Sequence, residues 1–135
     1  MKNSMLQRTL TLVAGITLAV AARSVDAKLT LGDPAPKLQV AKWVQGEPVN
    51  GFDTNHVYIV EFWATWCGPC VASIPHLNEL WQKFKDKGVI VIGQDVWEGD
   101  GTGAAAFVKK MGDKMTYRVA LDDTSKEPDG YMSDH

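Results

Sequence analysis

Val57-Tyr-Ile-Val-Glu-Phe-Trp-Ala-Thr-Trp-Cys-Gly-Pro-Cys70 is the stretch that decides the fold of this chain. Residues 57–63 are a continuous apolar run broken only by Glu61, the pattern of a buried strand. Beyond Cys70, the apolar residues Ile74, Leu77, Leu80, Trp81 and Phe84 recur at helical spacing, which predicts a helix over 68–87. Pro75 lies inside it and should kink it, and Gly88 supplies its C-terminal stop. Val89-Ile-Val-Ile92 is β-branched throughout and reads as a second buried strand. Strand, helix and strand over 57–92 make a βαβ unit, so a parallel sheet with a right-handed crossover is expected. The turn Trp66-Cys67-Gly68-Pro69-Cys70 then falls at the carboxyl end of the first strand, where open α/β sheets place their sites.

Cys67 and Cys70 are the only cysteines of the chain. At a helix N-terminus, unpaired backbone N–H groups and a partial positive charge favour a thiolate at the first of them. A thiolate attacks a disulfide, and a second cysteine one turn further on is close enough to resolve the mixed disulfide. Other readings fit less well. A structural bridge closing so short a loop stabilises by only about 2 kcal/mol. A structural zinc site needs four ligands, and His56, His76 and His135 are the only histidines that could complete two thiolates, at spacings that match no zinc pattern. Covalent haem attachment needs a histidine directly after the second cysteine, where Val71 stands. No metal or organic cofactor is expected.

Outward from this centre the signals weaken. Residues 28–56 are irregular, with a strand expected near Leu38–Val44 and turns at Gly46-Glu-Pro48 and Asn50-Gly51. Gly99-Asp-Gly-Thr-Gly103 lacks the spacing and the lysine of a phosphate loop and reads as a flexible connection. A short helix is expected over Ala104–Met111, ended by Gly112, and a third strand over Tyr117–Leu121. Asp122 to His135 is polar and turn-rich.

A length of 135 residues suits one domain. The N-terminus carries an export pattern: basic Lys2 and Arg8, an uncharged, mostly apolar run from Leu10 to Ala22, and a cleavage site at Val25-Asp26-Ala27. The expected division is a signal peptide over 1–27 and one domain over 28–135, exported and periplasmic; an uncleaved segment would instead anchor the protein. Loss of Lys2, Arg8, Arg23 and Asp26 takes the net charge from −2 to −4, which argues against nucleic acid as a partner. In an oxidising compartment, two cysteines placed three apart fit a working redox centre better than a disulfide scaffold.

From these residues the chain resembles the thioredoxin superfamily, and within it the exported TlpA-like or ResA-like disulfide reductases, which are redoxin-domain proteins. The resemblance runs from Gly32-Asp-Pro-Ala-Pro36 through Val60-Glu-Phe-Trp-Ala-Thr-Trp-Cys-Gly-Pro-Cys70 and Ile74-Pro75 to Val96-Trp-Glu98, and more weakly through Phe107-Val-Lys-Lys110 and Val119-Ala-Leu-Asp122. It implies an α/β fold: a thioredoxin-like βαβ core with central parallel strands and an inserted helix and strand. By position it implies that Cys67 is an exposed nucleophile, Cys70 a buried resolving thiol, Trp66 the flanking aromatic and Pro75 the kink proline of the active-site helix. Gly68-Pro69 is the dipeptide of thioredoxin itself, whose potential of about −270 mV suggests a reducing couple. Glu61 falls six residues before Cys67, where such proteins often carry a buried acid. A carboxylate in an apolar strand is costly unless neutral or paired, and Glu61 could take the proton of Cys70 as the mixed disulfide resolves; a surface salt bridge at the sheet edge is the plainer alternative.

The chain also departs from the pattern. The family's cis-proline loop, two antiparallel strands and final helix should follow, but only Pro128 follows Pro75, in the turn Glu127-Pro-Asp-Gly130. An incomplete C-terminus, with one sheet edge uncovered, is therefore expected. Ser73 stands where some ResA-like members carry a glutamate. The expected activity is thiol–disulfide exchange with protein disulfides, with electrons from a membrane-embedded or soluble dithiol donor. Two alternatives are an inactive or binding-only thioredoxin-like fragment, and a peroxidase-type redoxin, against which Ala64 stands in the place of the threonine such sites require.

Overall fold

The structure is a computed structural model, and it describes residues 29–98 and 102–123. Strand β1 (Val40–Gln45) precedes β2 (Val57–Trp63), helix α1 (Gly68–Phe84), β3 (Val89–Asp95), helix α2 (Thr102–Met111) and β4 (Arg118–Asp122). The strands form one sheet in the order β1-β4-β3-β2, with β2, β3 and β4 parallel and β1 antiparallel to β4. The expected βαβ unit is present, and β3–α2–β4 repeats it. The expected signal segment 1–27 and the turn at Glu127–Gly130 lie outside the described residues.

The order explains where the helices go. β2, β3 and β4 are laid down in one direction across the sheet, so two crossovers of the same hand put both helices on one face. Register aligns Trp63 with Asp95 and Leu121, and pleat alternation sets Val91 and Val119 on that same face. Trp63, Val91, Val119 and Leu121 meet Ile74 of α1 and Ala104 and Val108 of α2 in one buried core, with Met115 and Tyr117. Gly93 makes this packing possible. A Cβ there would stand 3.0 Å from the Tyr117 ring and 3.1 Å from the Trp63 indole nitrogen.

Element boundaries differ from expectation for local reasons. β3 runs past Ile92 through Gly93, Gln94 and Asp95, because these polar residues pair with β2 on one side and β4 on the other. Helix α1 continues through Pro75 and ends at Phe84; a 3₁₀ turn over Lys85–Lys87 leads to Gly88, whose φ of 80° makes the expected left-handed stop. α2 begins at Thr102, so Gly103 lies inside the helix. At its other end α2 stops at Met111, as expected, and Gly112 opens a 3₁₀ turn. Among the described residues, no strand pairs with the outer edge of β2, and Val57 there is 62 % exposed. No helix of the described residues is long and apolar enough to cross a membrane.

Candidate active site

The dithiol sits where strand β2 hands over to helix α1. The turn is closed by the Cys67 N–H donating to the Ala64 carbonyl at 3.0 Å. Cys67 is the N-cap of α1, in extended geometry, and its carbonyl accepts the first helical bond from the Val71 N–H at 2.9 Å. Its Sγ accepts from the Cys70 N–H at 3.4 Å, so the sulfur takes the place a serine or aspartate oxygen holds in an ordinary cap. Pro69, in the first turn, lacks only an N–H that would have found no helical partner there. No acidic residue stands in that first turn to oppose a thiolate. Cys67 and Cys70 are joined as a disulfide, their Cα atoms 5.3 Å apart. Both cysteines are half-buried, whereas an exposed and a buried one were expected; both line the cleft, and Cys70 also packs against the core. Gly68 and Pro69 are exposed.

Glu61 lies in β2, half-buried, opposite Gly93. Its Oε1 accepts from the Ser73 hydroxyl at 2.7 Å and its Oε2 from the Tyr117 hydroxyl at 3.3 Å. The Ser73 hydroxyl stands at the same 2.7 Å from the Cys70 carbonyl. One hydroxyl proton thus faces two acceptors, the Glu61 carboxylate and the backbone carbonyl of Cys70. Among the described residues, the partners of Glu61 are these two hydroxyls, and no salt-bridging cation stands beside it. Burial, and then the Glu61 carboxylate beside it, hold the Tyr117 phenol above its ordinary range, so it stays a donor.

The loop after β3 closes the site from the other side. Trp66 is 65 % exposed and stacks on Trp97, 50 % exposed, with ring centroids 6.4 Å apart. Glu98 accepts a hydrogen bond from the Thr65 N–H. At the end of β3, Asp95 is only 3 % exposed, and among the described residues its Oδ1 has no hydrogen-bond partner; the Trp63 Nε1, in the facing residue of β2, has none there either. Burial, reinforced by the carboxylates of Glu98 and Asp122, pushes the Asp95 carboxyl up to about 7. Of the histidines, His56 is held by Asp53 at the far end of β2, His76 lies on an exposed turn of α1, and His135 is outside the described residues.

Sequence reasoning assigned Cys67, Cys70, Glu61, Trp66, Gly68, Pro69 and Pro75. It missed Ser73, Tyr117, Trp97 and Asp95. Ser73 had a signal, since position i+3 from Cys70 shares its helix face. Trp97 had a weaker one, following a strand at the end of the sheet where sites gather. Tyr117 had none, being 56 residues from Glu61.

Comparison with known proteins bears on this geometry. The profile of the AhpC/TSA family matches residues 31–131. The thiol-disulfide oxidoreductase ResA of Bacillus cereus is 34 % identical over 128 residues, covering 90 % of this chain and 71 % of ResA. Protein FixW of Rhizobium leguminosarum is 40 % identical over 65 residues, 48 % of this chain and 29 % of FixW. The crystal structure of StoA from Bacillus subtilis matches with a TM-score of 0.52 at 21 % identity, over 70 % of this chain and 69 % of that one, a likeness of fold alone.

Proposed function

We propose, for a chain that belongs to the AhpC/TSA family and within it to the ResA-type thiol-disulfide oxidoreductases, that it reduces protein disulfides outside the cytosol through Cys67 and Cys70. The observation that carries this reading is the cysteine pair at the N-terminus of α1, with Cys67 as the cap. In the reduced enzyme the Cys67 thiolate attacks one sulfur of the substrate disulfide. That bond breaks, a Cys67–substrate disulfide forms, and the other substrate sulfur leaves as a thiolate. Cys70 then loses its proton and attacks the Cys67 sulfur, releasing the second substrate thiol. The substrate gains two electrons and two protons, and the enzyme is left as the Cys67–Cys70 disulfide. A partner dithiol, membrane-embedded or soluble, returns the two electrons by the same exchange in reverse. Glu61 accepts the proton of Cys70, directly or through water, and Ser73 bridges its carboxylate to the Cys70 backbone. Trp66 shields the nucleophile's flank, and Gly68, Pro69 and Pro75 shape the turn and the helix.

The test is reduction of an insulin-type protein disulfide with a dithiol as electron source. The wild-type chain should turn over, and Cys67→Ser should lose all catalysed rate. Cys70→Ser should accumulate the mixed disulfide. A Cys67→Ser protein as active as the wild type would overturn the proposal. Consumption of hydrogen peroxide by the same preparation, unaffected by Cys70→Ser, would move the reading to a peroxidase.

A further inference from the structure

Trp97 reaches the dithiol in a conformation its own chemistry disfavours. Its φ is 61°, in the left-handed region that a bulky side chain rarely occupies. Two anchors impose it. On one side the Val96 N–H donates to the Trp63 carbonyl at 2.9 Å, and on the other Glu98 accepts from the Thr65 N–H. Both anchors attach to the segment that carries the dithiol. The conformation brings little burial, since half of the indole stays exposed and the ring it stacks on, Trp66, is itself exposed. Strain without burial belongs to a side chain held for what it contacts from outside.

The stacked indoles border a cleft of about 90 Å³. Among the described residues, Phe62, Val96, Trp66 and Trp97 line it together with Cys67 and Cys70, and no charged side chain does. The volume suits one side chain and excludes a folded element. We infer that Trp97, paired with Trp66, is a specificity-determining residue that receives an apolar side chain next to the substrate's disulfide-bonded cysteine. This rests on the exchange reading above, which fixes the occupant. The attacked sulfur must come to Cys67, and successive residues of an extended chain lie about 3.5 Å apart, so a flanking residue falls on the cleft. A charged or strongly polar side chain would lose its water there with no partner to replace it. An apolar or aromatic one gains burial and an indole face.

The test uses the full chain and two peptides that differ only in the residues flanking one cysteine, Phe in one and Ser in the other. Binding of their S-methylated forms is read from indole fluorescence, and exchange with their disulfide forms from kcat/KM. The wild type should favour the Phe peptide by about tenfold in both readouts, the scale of one well-filled apolar subsite. Trp97→Gly suits the left-handed backbone and removes only the ring; it should bring both ratios close to one. Trp97→Phe should keep most of the preference. Because each readout is a ratio, a general loss of activity cancels. No preference in the wild type, or full preference in Trp97→Gly, would overturn the inference. A Trp97-dependent binding preference with no exchange at all would instead remove the proposed function and leave the subsite standing.

Discussion

The two ends of strand β2 differ in how completely their polar groups are satisfied. At the amino end, before Val57, the Asp53 carboxylate accepts from the Asn55 N–H at 2.7 Å, the His56 Nδ1 at 2.9 Å and the Tyr58 hydroxyl at 2.9 Å. Phe52 and His56 each meet the Tyr58 ring edge-on, so the network is local and closed. At the carboxyl end, a buried carboxylate oxygen and a buried indole N–H lack partners among the described residues, one hydroxyl serves two acceptors, and a tryptophan sits in left-handed backbone. A fold without work to do at that end would have been free to satisfy those groups. Their concentration on the dithiol side of one sheet, against a quiet opposite side, marks which end is held for chemistry.

The sharpest way to break this contrast is at Glu61. Glu61→Gln keeps an acceptor for Ser73 and removes the ability to take a proton. The resolving step should slow about 100-fold, the lower range of general-base effects, while the first attack by Cys67 keeps its rate. Rapid-mixing kinetics separate the two, because the first substrate thiol is released before the mixed disulfide decays. Equal decay of the mixed disulfide in both proteins would remove Glu61 from the mechanism.

How much of this was legible follows from what each feature depends on. Val57–Trp63 and Val89–Ile92 were readable because a dense β-branched and aromatic run has few alternatives. The dithiol was readable because Cys67, Cys70 and the helix that activates them are neighbours in sequence. Gly93, Gln94 and Asp95 look like a loop in isolation; only pairing on both sides makes them strand. The partners of Glu61 required knowing that β4 brings Tyr117 beside β2's face across β3, which no local pattern encodes. Trp97 was hidden for the opposite reason. Local propensity argues against its backbone conformation, and only the anchors at Trp63 and Thr65 override it.

A second test addresses the unsatisfied carboxylate. The Asp95 carboxyl is raised to about 7 in the fold, against 3.8 ordinarily, so between those values the native state holds a proton that the unfolded chain has lost. Stability from this group is therefore fully present below about pH 4 and is lost as pH rises through 7. Asp95→Asn mimics the protonated form at every pH. Its advantage over the wild type should be near zero at pH 4 and grow to an amount on the order of 4 kcal/mol at pH 8. Urea midpoints at the two pH values measure this, and an advantage that does not change with pH would show that Asp95 is not held protonated.

The smallest effect is expected at the quiet end. The His56 hydrogen bond, then the Asn55 amide and the Tyr58 hydroxyl, lower the Asp53 carboxyl to about 2. Its folded-state value lies below the unfolded one, so the stability it adds is present above about pH 4 and lost as pH falls through 2, the reverse of Asp95. The cluster is exposed, so that contribution is screened by water and small. Asp53→Asn should lower the thermal midpoint slightly at pH 6 and flatten its decline in acid, and the gap between the two proteins should close as pH falls toward 2. Exchange by the Cys67–Cys70 pair should keep its rate, because the network sits at the opposite end of β2 from the dithiol. A loss of exchange in Asp53→Asn approaching that of Glu61→Gln would show that the two ends of β2 are coupled, and the division between a structural end and a chemical end would fail.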